Sequence, residues 1–222
     1  MLPCVTGIVD LTEPIYSGLP VSAREVPVLI EPRMNHAQDG FAACTIQMGS
    51  HAGTHIDAPF HFRPGGATVD QLSLERLIGP GLILDLRATA RPCISQAEVE
   101  AAISESGGWV SGAAVLLWTG WDEHFGGADM ARHPYLSAAA AAYLVEVGAL
   151  LVAIDATGVD DSTAREFPAH EALLGADIPV VENVCGLGQL GAGQVSCAFI
   201  PLAIRGGDAA PVRAFAWRTS TR

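Results

Sequence analysis

The chain has 222 residues, half of them apolar and 16% charged, which is long and apolar enough to bury a sizeable core and excludes a disordered chain. Its 24 acidic residues outweigh 12 basic ones for a formal charge of −12, so neither nucleic acid nor an anionic membrane surface is an expected partner. The five cysteines (Cys4, Cys44, Cys93, Cys185, Cys197) form no CxxC pair, which argues against a zinc ribbon or thioredoxin motif and reads as reduced thiols in a cytoplasmic protein.

The opening "MLPCVTGIVDLTEP" lacks the charged and apolar regions of a signal peptide. Residues 8–60 read as strands and loops. Beyond them, short apolar runs predict buried strands at "GLILDL" (81–86), "AAVLLWTG" (113–120), "ALLVAID" (149–155) and "CAFIPLAI" (197–204). Two helices lie between these runs. Ser95 and Glu98 form a capping-box pattern, and Gly107-Gly108 closes that helix. Ser137 caps "AAAAAYLVEV", with Gly148 placed to end it in a left-handed conformation. The longest apolar stretch, 138–154, is broken by Glu146 and Gly148 and falls short of a membrane span. With no linker and no repeat, residues 1–222 are expected to form a single α/β domain with a mixed, partly antiparallel sheet.

The chemistry concentrates in "SHAGTHIDAPFHF", where His51, His55, Asp57 and His61 crowd a stretch containing Gly53 and Pro59. In a straight strand, rising about 3.3 Å per residue, His51 and Asp57 would stand roughly 20 Å apart, too far to share one metal ion. A helix would pair His51 with His55 but turn Asp57 away. An irregular turn that curls back, opened by Gly53 and stiffened by Pro59, brings two imidazoles and a carboxylate to one point.

This stretch resembles the signature HxGTHxDxPxH of the metal-dependent cyclase family, which includes bacterial kynurenine formamidase, isatin hydrolase and trans-dienelactone hydrolase; His51, Gly53, Thr54, His55, Asp57, Pro59 and His61 meet every fixed position. The likeness continues through "DLTEPIYSGLPV", "LLWTGW", "HPYLSAAAAAYLVEVGALLVAIDATGVD" and "FPAHEALLGADIPVVENV". It implies a swivelling β/β/α fold, with a mixed, barrel-like β core and outer helices. It also implies that His170 and Glu182 complete a site for one or two divalent ions, Zn²⁺ or Mn²⁺. His51, His55, Asp57 and Glu182 would hold one ion; Asp57, His170 and Glu182 would hold the other. The residues alone single out neither His170 nor Glu182. By the same resemblance His61 is the general acid/base, and the assembly is a homodimer or higher homo-oligomer.

A bound metal lowers the pKa of water from about 16 to about 7, and no GxSxG elbow offers a covalent route instead. The expected activity is hydrolysis of a non-peptide amide in a small carbonyl compound, of the arylformamidase kind. A cyclic amide or lactone, or ring closure in a natural-product pathway, are the alternatives. A metal held only as a folding staple fits less well, because structural zinc sites are Cys-rich. Phe60, Phe62 and Ser22 are the candidate substrate contacts. Ser22 stands where kynurenine formamidase carries a pocket tryptophan, and it offers no aromatic face. Arg63 and Arg87 could meet a carboxylate but read better as surface residues.

Overall fold

A computed structural model describes residues 7–21, 25–88 and 91–218. In chain order its strands are β1 (Val9–Asp10), β2 (Leu29–Met34), β3 (Ala43–Gln47), β4 (His55–Asp57), β5 (Ile78–Asp85), β6 (Cys93–Ile94), β7 (Ala114–Trp118), β8 (Tyr135–Leu136), β9 (Leu151–Ile154), β10 (Val180–Glu182), β11 (Gly193–Pro201) and β12 (Ala209–Trp217). The helices are α1 (His36–Asp39), α2 (Leu74–Leu77), α3 (Gln96–Glu105), α4 (Ala138–Glu146) and α5 (Pro168–Gly175), with several single 3-10 turns between them.

Among the described residues, seven strands close into a barrel in the order β12-β11-β5-β7-β9-β10-β4 and back to β12. The run β5, β7, β9, β10 is parallel, because α3, α4 and α5 each return the chain to its starting end. The remaining barrel pairs are antiparallel. One edge of β12 serves two partners: Ala209, Ala210 and Pro211 pair with β4, whereas Phe215 and Ala216 pair with β1.

Both faces of the parallel strands are buried, so they read as continuous apolar runs rather than alternating ones. Ile83, Leu116, Ala153 and Val181 point into the barrel with Ile56 and Phe199. Their neighbours Leu82, Leu84, Val115, Leu117, Val152, Ile154 and Val180 point outward into a second layer, shared with Val99, Ile103, Leu144, Leu173 and Leu174 of the helices. Each fully buried Val, Leu or Ile contributes about 1.5–3 kcal/mol relative to exposure. The capping box at Ser95 forms: Ser95 N donates to Glu98 Oε2 at 2.7 Å and Glu98 N to Ser95 Oγ at 3.4 Å. Ser137 Oγ accepts from Ala140 N at 3.1 Å, and Gly148 ends that helix at φ +76°.

The last predicted strand needs correction. The run at 197–204 is β11, spanning Gly193–Pro201, and it turns back into β12, whose nine residues include Pro211 and Arg213. Outside the barrel, β2 and β3 form a separate two-stranded hairpin with α1 at its tip. Cys44, Cys93, Cys185 and Cys197 are free thiols; Cys4 lies outside the described residues. No helix among the described residues is long and apolar enough to cross a membrane.

Candidate metal centre

The signature stretch is part turn, part strand. Residues 51–54 form the turn, with Gly53 at φ +67°. Then β4 holds His55 and Asp57 two residues apart, hence on one face of the sheet, and Pro59 starts a 3-10 turn that ends at His61. Both His51 and the strand residues therefore converge, which neither a helix nor a straight strand over the whole stretch would allow. Glu182 lies directly opposite His55 in the β4–β10 ladder, and Asp57 opposite Val180. Because Ile56 and Val181 face the barrel interior, His55, Asp57 and Glu182 face outward, toward the helices. There α5 delivers His170.

Two carboxylates and three imidazoles meet at this point. His55 Nε2 lies 3.5 Å from Asp57 Oδ1 and 3.5 Å from Glu182 Oε2. His170 Nε2 is 3.1 Å from Glu182 Oε1 and 3.5 Å from Asp57 Oδ2. His51 Nδ1 is 2.9 Å from Asp57 Oδ1. Asp57 is 1% exposed and His55 2%.

In each imidazole the other nitrogen is occupied by an oxygen. His55 Nδ1 donates to Gly53 O at 3.0 Å, His170 Nδ1 donates to Asp160 Oδ2 at 2.7 Å, and His51 Nε2 donates to Asp208 Oδ2 at 3.0 Å. A backbone carbonyl only accepts, so the His55 tautomer that carries its proton on Nδ1 turns a bare Nε2 lone pair toward the two carboxylates. Buried His55 Nε2 has no hydrogen-bond partner among the described residues, and it lies 3.5 Å from both Asp57 Oδ1 and Glu182 Oε2, a costly state unless positive charge stands between them.

The donor set fits a divalent cation. Ligand atoms about 2.0–2.2 Å from one ion stand roughly 3.0–3.5 Å from each other, the spacing seen across this cluster. Among the described residues, two groups have ligand atoms within 4.8 Å of one another: His55, Asp57 and Glu182, and His51, Asp57 and His61.

The electrostatics express the same demand for positive charge. Burial alone would raise the Asp57 carboxyl, but the His170 and His51 imidazoles hold it well below the usual range. Burial would likewise lower His51, yet Asp57 and Asp208 push it up to about 9. His170 is raised well above the ordinary value against its burial, by Asp160, Asp57 and Glu182. His61 goes the other way. Burial and the neighbouring His51 and His170 depress it, outweighing Asp57.

His61 stands at the rim, its ring 4.3 Å from His51 and 6.4 Å from His170, with Nδ1 3.4 Å from Asp208 Oδ2. Phe62 stacks on His170 at 5.0 Å and 15°, and Phe167 meets Phe62 edge-on at 5.9 Å. Phe60 is 40% exposed. Ser22 lies outside the described residues. Arg63 is engaged with Asp177 and Arg87 with Asp85, Arg87 also lying over Trp118.

Sequence reading missed Asp160, Asp208, Asn183 and Phe167. Asn183 Nδ2 donates to Gly53 O, the carbonyl that also fixes His55, and Thr54 Oγ1 donates to Asn183 O at 2.6 Å. Thus the Gly-Thr of the signature braces the turn from outside. An Asp one hairpin or one loop away from its target carries no local signal.

Fold and site together define a closed-barrel, metal-dependent hydrolase. The family follows from sequence: the pattern of the family described as "Putative cyclase" matches residues 9–161, and the chain belongs to that family. It is 31% identical over 208 residues to a kynurenine formamidase of Geobacillus thermodenitrificans, covering 93% of this chain and 95% of that one. Among solved structures it resembles isatin hydrolase A from Labrenzia aggregata (TM-score 0.87, 25% identity, 96% of this chain and 94% of that chain). It also resembles a protein described as a potential metal-dependent hydrolase with cyclase activity (TM-score 0.77, 28% identity, 97% and 99% covered).

Proposed function

We propose that the chain, acting as one domain over residues 1–222, hydrolyses a non-peptide amide of a small aryl carbonyl compound, as kynurenine formamidases do, with N-formylkynurenine as the first substrate to try. The observation that carries this is the convergence of His51, His55, Asp57, His170 and Glu182, each imidazole within 3.5 Å of a carboxylate, with His61 beside them. His51, His55, Asp57, His170 and Glu182 would hold a divalent cation, Zn²⁺ or Mn²⁺ and one or two in number, which would supply an acidified water and a polarised scissile carbonyl. Asp57 faces three imidazoles (His51, His55 and His170) and Glu182 faces two (His55 and His170), so these carboxylates would be the shared ligands if two ions are held.

His61 does the proton transfer. Neutral in its depressed state, it takes a proton from the attacking water and passes it to the leaving nitrogen. Asp208, near its Nδ1, holds the ring in place through the exchange. Phe62 and Phe167 stand beside the imidazoles and form an aromatic wall for an aryl substituent. With Arg63 and Arg87 already paired, a substrate carboxylate is not their charge.

Lactam or lactone opening is the second reading, favoured by the likeness to isatin hydrolase and by Ser22 in place of a tryptophan. Cyclase chemistry in a natural-product pathway uses the same residues. The protein is taken as cytoplasmic, with a small-molecule substrate and no nucleic-acid or membrane partner. It is taken to assemble as a homodimer or larger, because the β2–β3 hairpin is exposed on both strands and two strands alone are marginally stable.

The test is turnover of N-formylkynurenine by chelator-stripped protein before and after Zn²⁺ or Mn²⁺ is restored. Metal-restored formation of kynurenine is expected. A folded, metal-loaded protein that leaves this substrate intact would move the assignment to isatin-like lactams and then to lactones.

A further inference from the structure

Helix α5 begins without a capping side chain of its own, since Phe167 at its N-cap makes no such bond. Its first amides are taken by a residue several positions upstream. Ala169 N donates to Asp160 Oδ1 at 2.8 Å, and His170 N donates to Asp160 Oδ2 at 2.8 Å. That same Oδ2 accepts from His170 Nδ1 at 2.7 Å. Asp160 is 4% exposed, so these bonds are made away from water, where leaving one unmade is costly.

The loop that carries Asp160 is itself pinned. Leu136 N donates to Val159 O at 2.8 Å. Next along, Ser162 Oγ donates to His133 Nε2 at 2.6 Å, because His133 Nδ1 must carry its proton toward Pro134 O at 2.9 Å. The carboxylate is therefore held from behind while it holds α5 from the front.

We infer that Asp160 is the positioning residue of the metal centre: one carboxylate sets both where α5 starts and which nitrogen of His170 faces Asp57 and Glu182. The inference rests on the metal-centre reading above. A carboxylate is required because both of its oxygens accept. An asparagine must turn its NH₂ either to the Ala169 amide or to His170. In the second case a donor faces Nδ1, the proton moves to Nε2, and an N–H points at the place a cation would take. Outer partners of this kind tune metal affinity by roughly 10–100-fold.

The experiment is a double-mutant cycle on Zn²⁺ affinity, read by competition with a chromophoric chelator, for wild type, Asp160→Asn, His170→Ala and the double variant. Asp160→Asn is expected to weaken binding by roughly 10–100-fold in the wild-type background and to add almost nothing once His170 is gone. A loss of equal size in both backgrounds would make Asp160 a purely structural residue and overturn the inference alone. So would an unchanged affinity in Asp160→Asn. A wild-type chain that binds no Zn²⁺ would overturn the metal-centre reading and this inference with it. Should His170→Ala not fold, His170→Gln supplies the second background.

Discussion

His61 sits 3.4 Å from Asp208 and within ligand spacing of His51 and Asp57, so the proposed proton transfer and a ligand role compete for one imidazole. Replacing it separates them. His61→Ala is expected to lower turnover by about 10²–10⁴-fold while metal content, measured by atomic emission on the purified protein, stays at the wild-type value. Joint loss of metal and activity would instead make His61 a ligand. The depressed state of His61 follows from burial first and from the cationic imidazoles behind it second. A divalent cation in the same place would press in the same direction, keeping His61 unprotonated and ready to accept a proton.

At the scale of elements, the site is made by register. The β4–β10 ladder sets Glu182 against His55, and slipping it by one residue would turn Glu182 into the barrel. The ends of β7 and β9 are joined by a buried acid of another kind. Asp155, 1% exposed, accepts from Thr119 N, Thr119 Oγ1 and Gly120 N. Burial nonetheless pushes its carboxyl up to about 6, with Asp122 adding to the rise. The folded value lies above the unfolded one near 3.8. The folded chain therefore keeps a proton that the unfolded chain releases. This contribution is full below about 3.8 and is lost as pH rises through about 6. Asp155→Asn does not ionise, so its stability relative to wild type is expected to improve by up to about 3 kcal/mol between the two values. Urea midpoints taken across that range check it, and a pH-independent difference would refute it.

For the whole molecule, the conspicuous feature is what the barrel does not cover. The β2–β3 hairpin exposes Leu29, Met34, Phe41 and Ile46, each at least 41% accessible, and clustered exposed apolar side chains mark an interaction surface. A second copy of the chain is the proposed cover. Light scattering is expected to give a mass at least twice 23.1 kDa, and Ile46→Asp is expected to shift it toward the monomer. A wild-type monomer at micromolar concentration would end that proposal. The hairpin lies in the region that reads as strands and loops, and its exposure has no counterpart in the sequence pattern.

The sequence by itself determined the elements with local signals: the apolar runs of β5, β7 and β9, the capped starts of α3 and α4, and the crowding of His51, His55 and Asp57 around one turn. These are legible because backbone geometry ties residue spacing to direction over a few positions. Only the tertiary structure decided that β11 turns back into β12 to close the barrel, that Asp160 holds His170 and that Asp208 reaches His51 across 157 positions of chain. Such meetings depend on strand order and register, which burial on both faces of the parallel sheet conceals by removing the alternation that would reveal them.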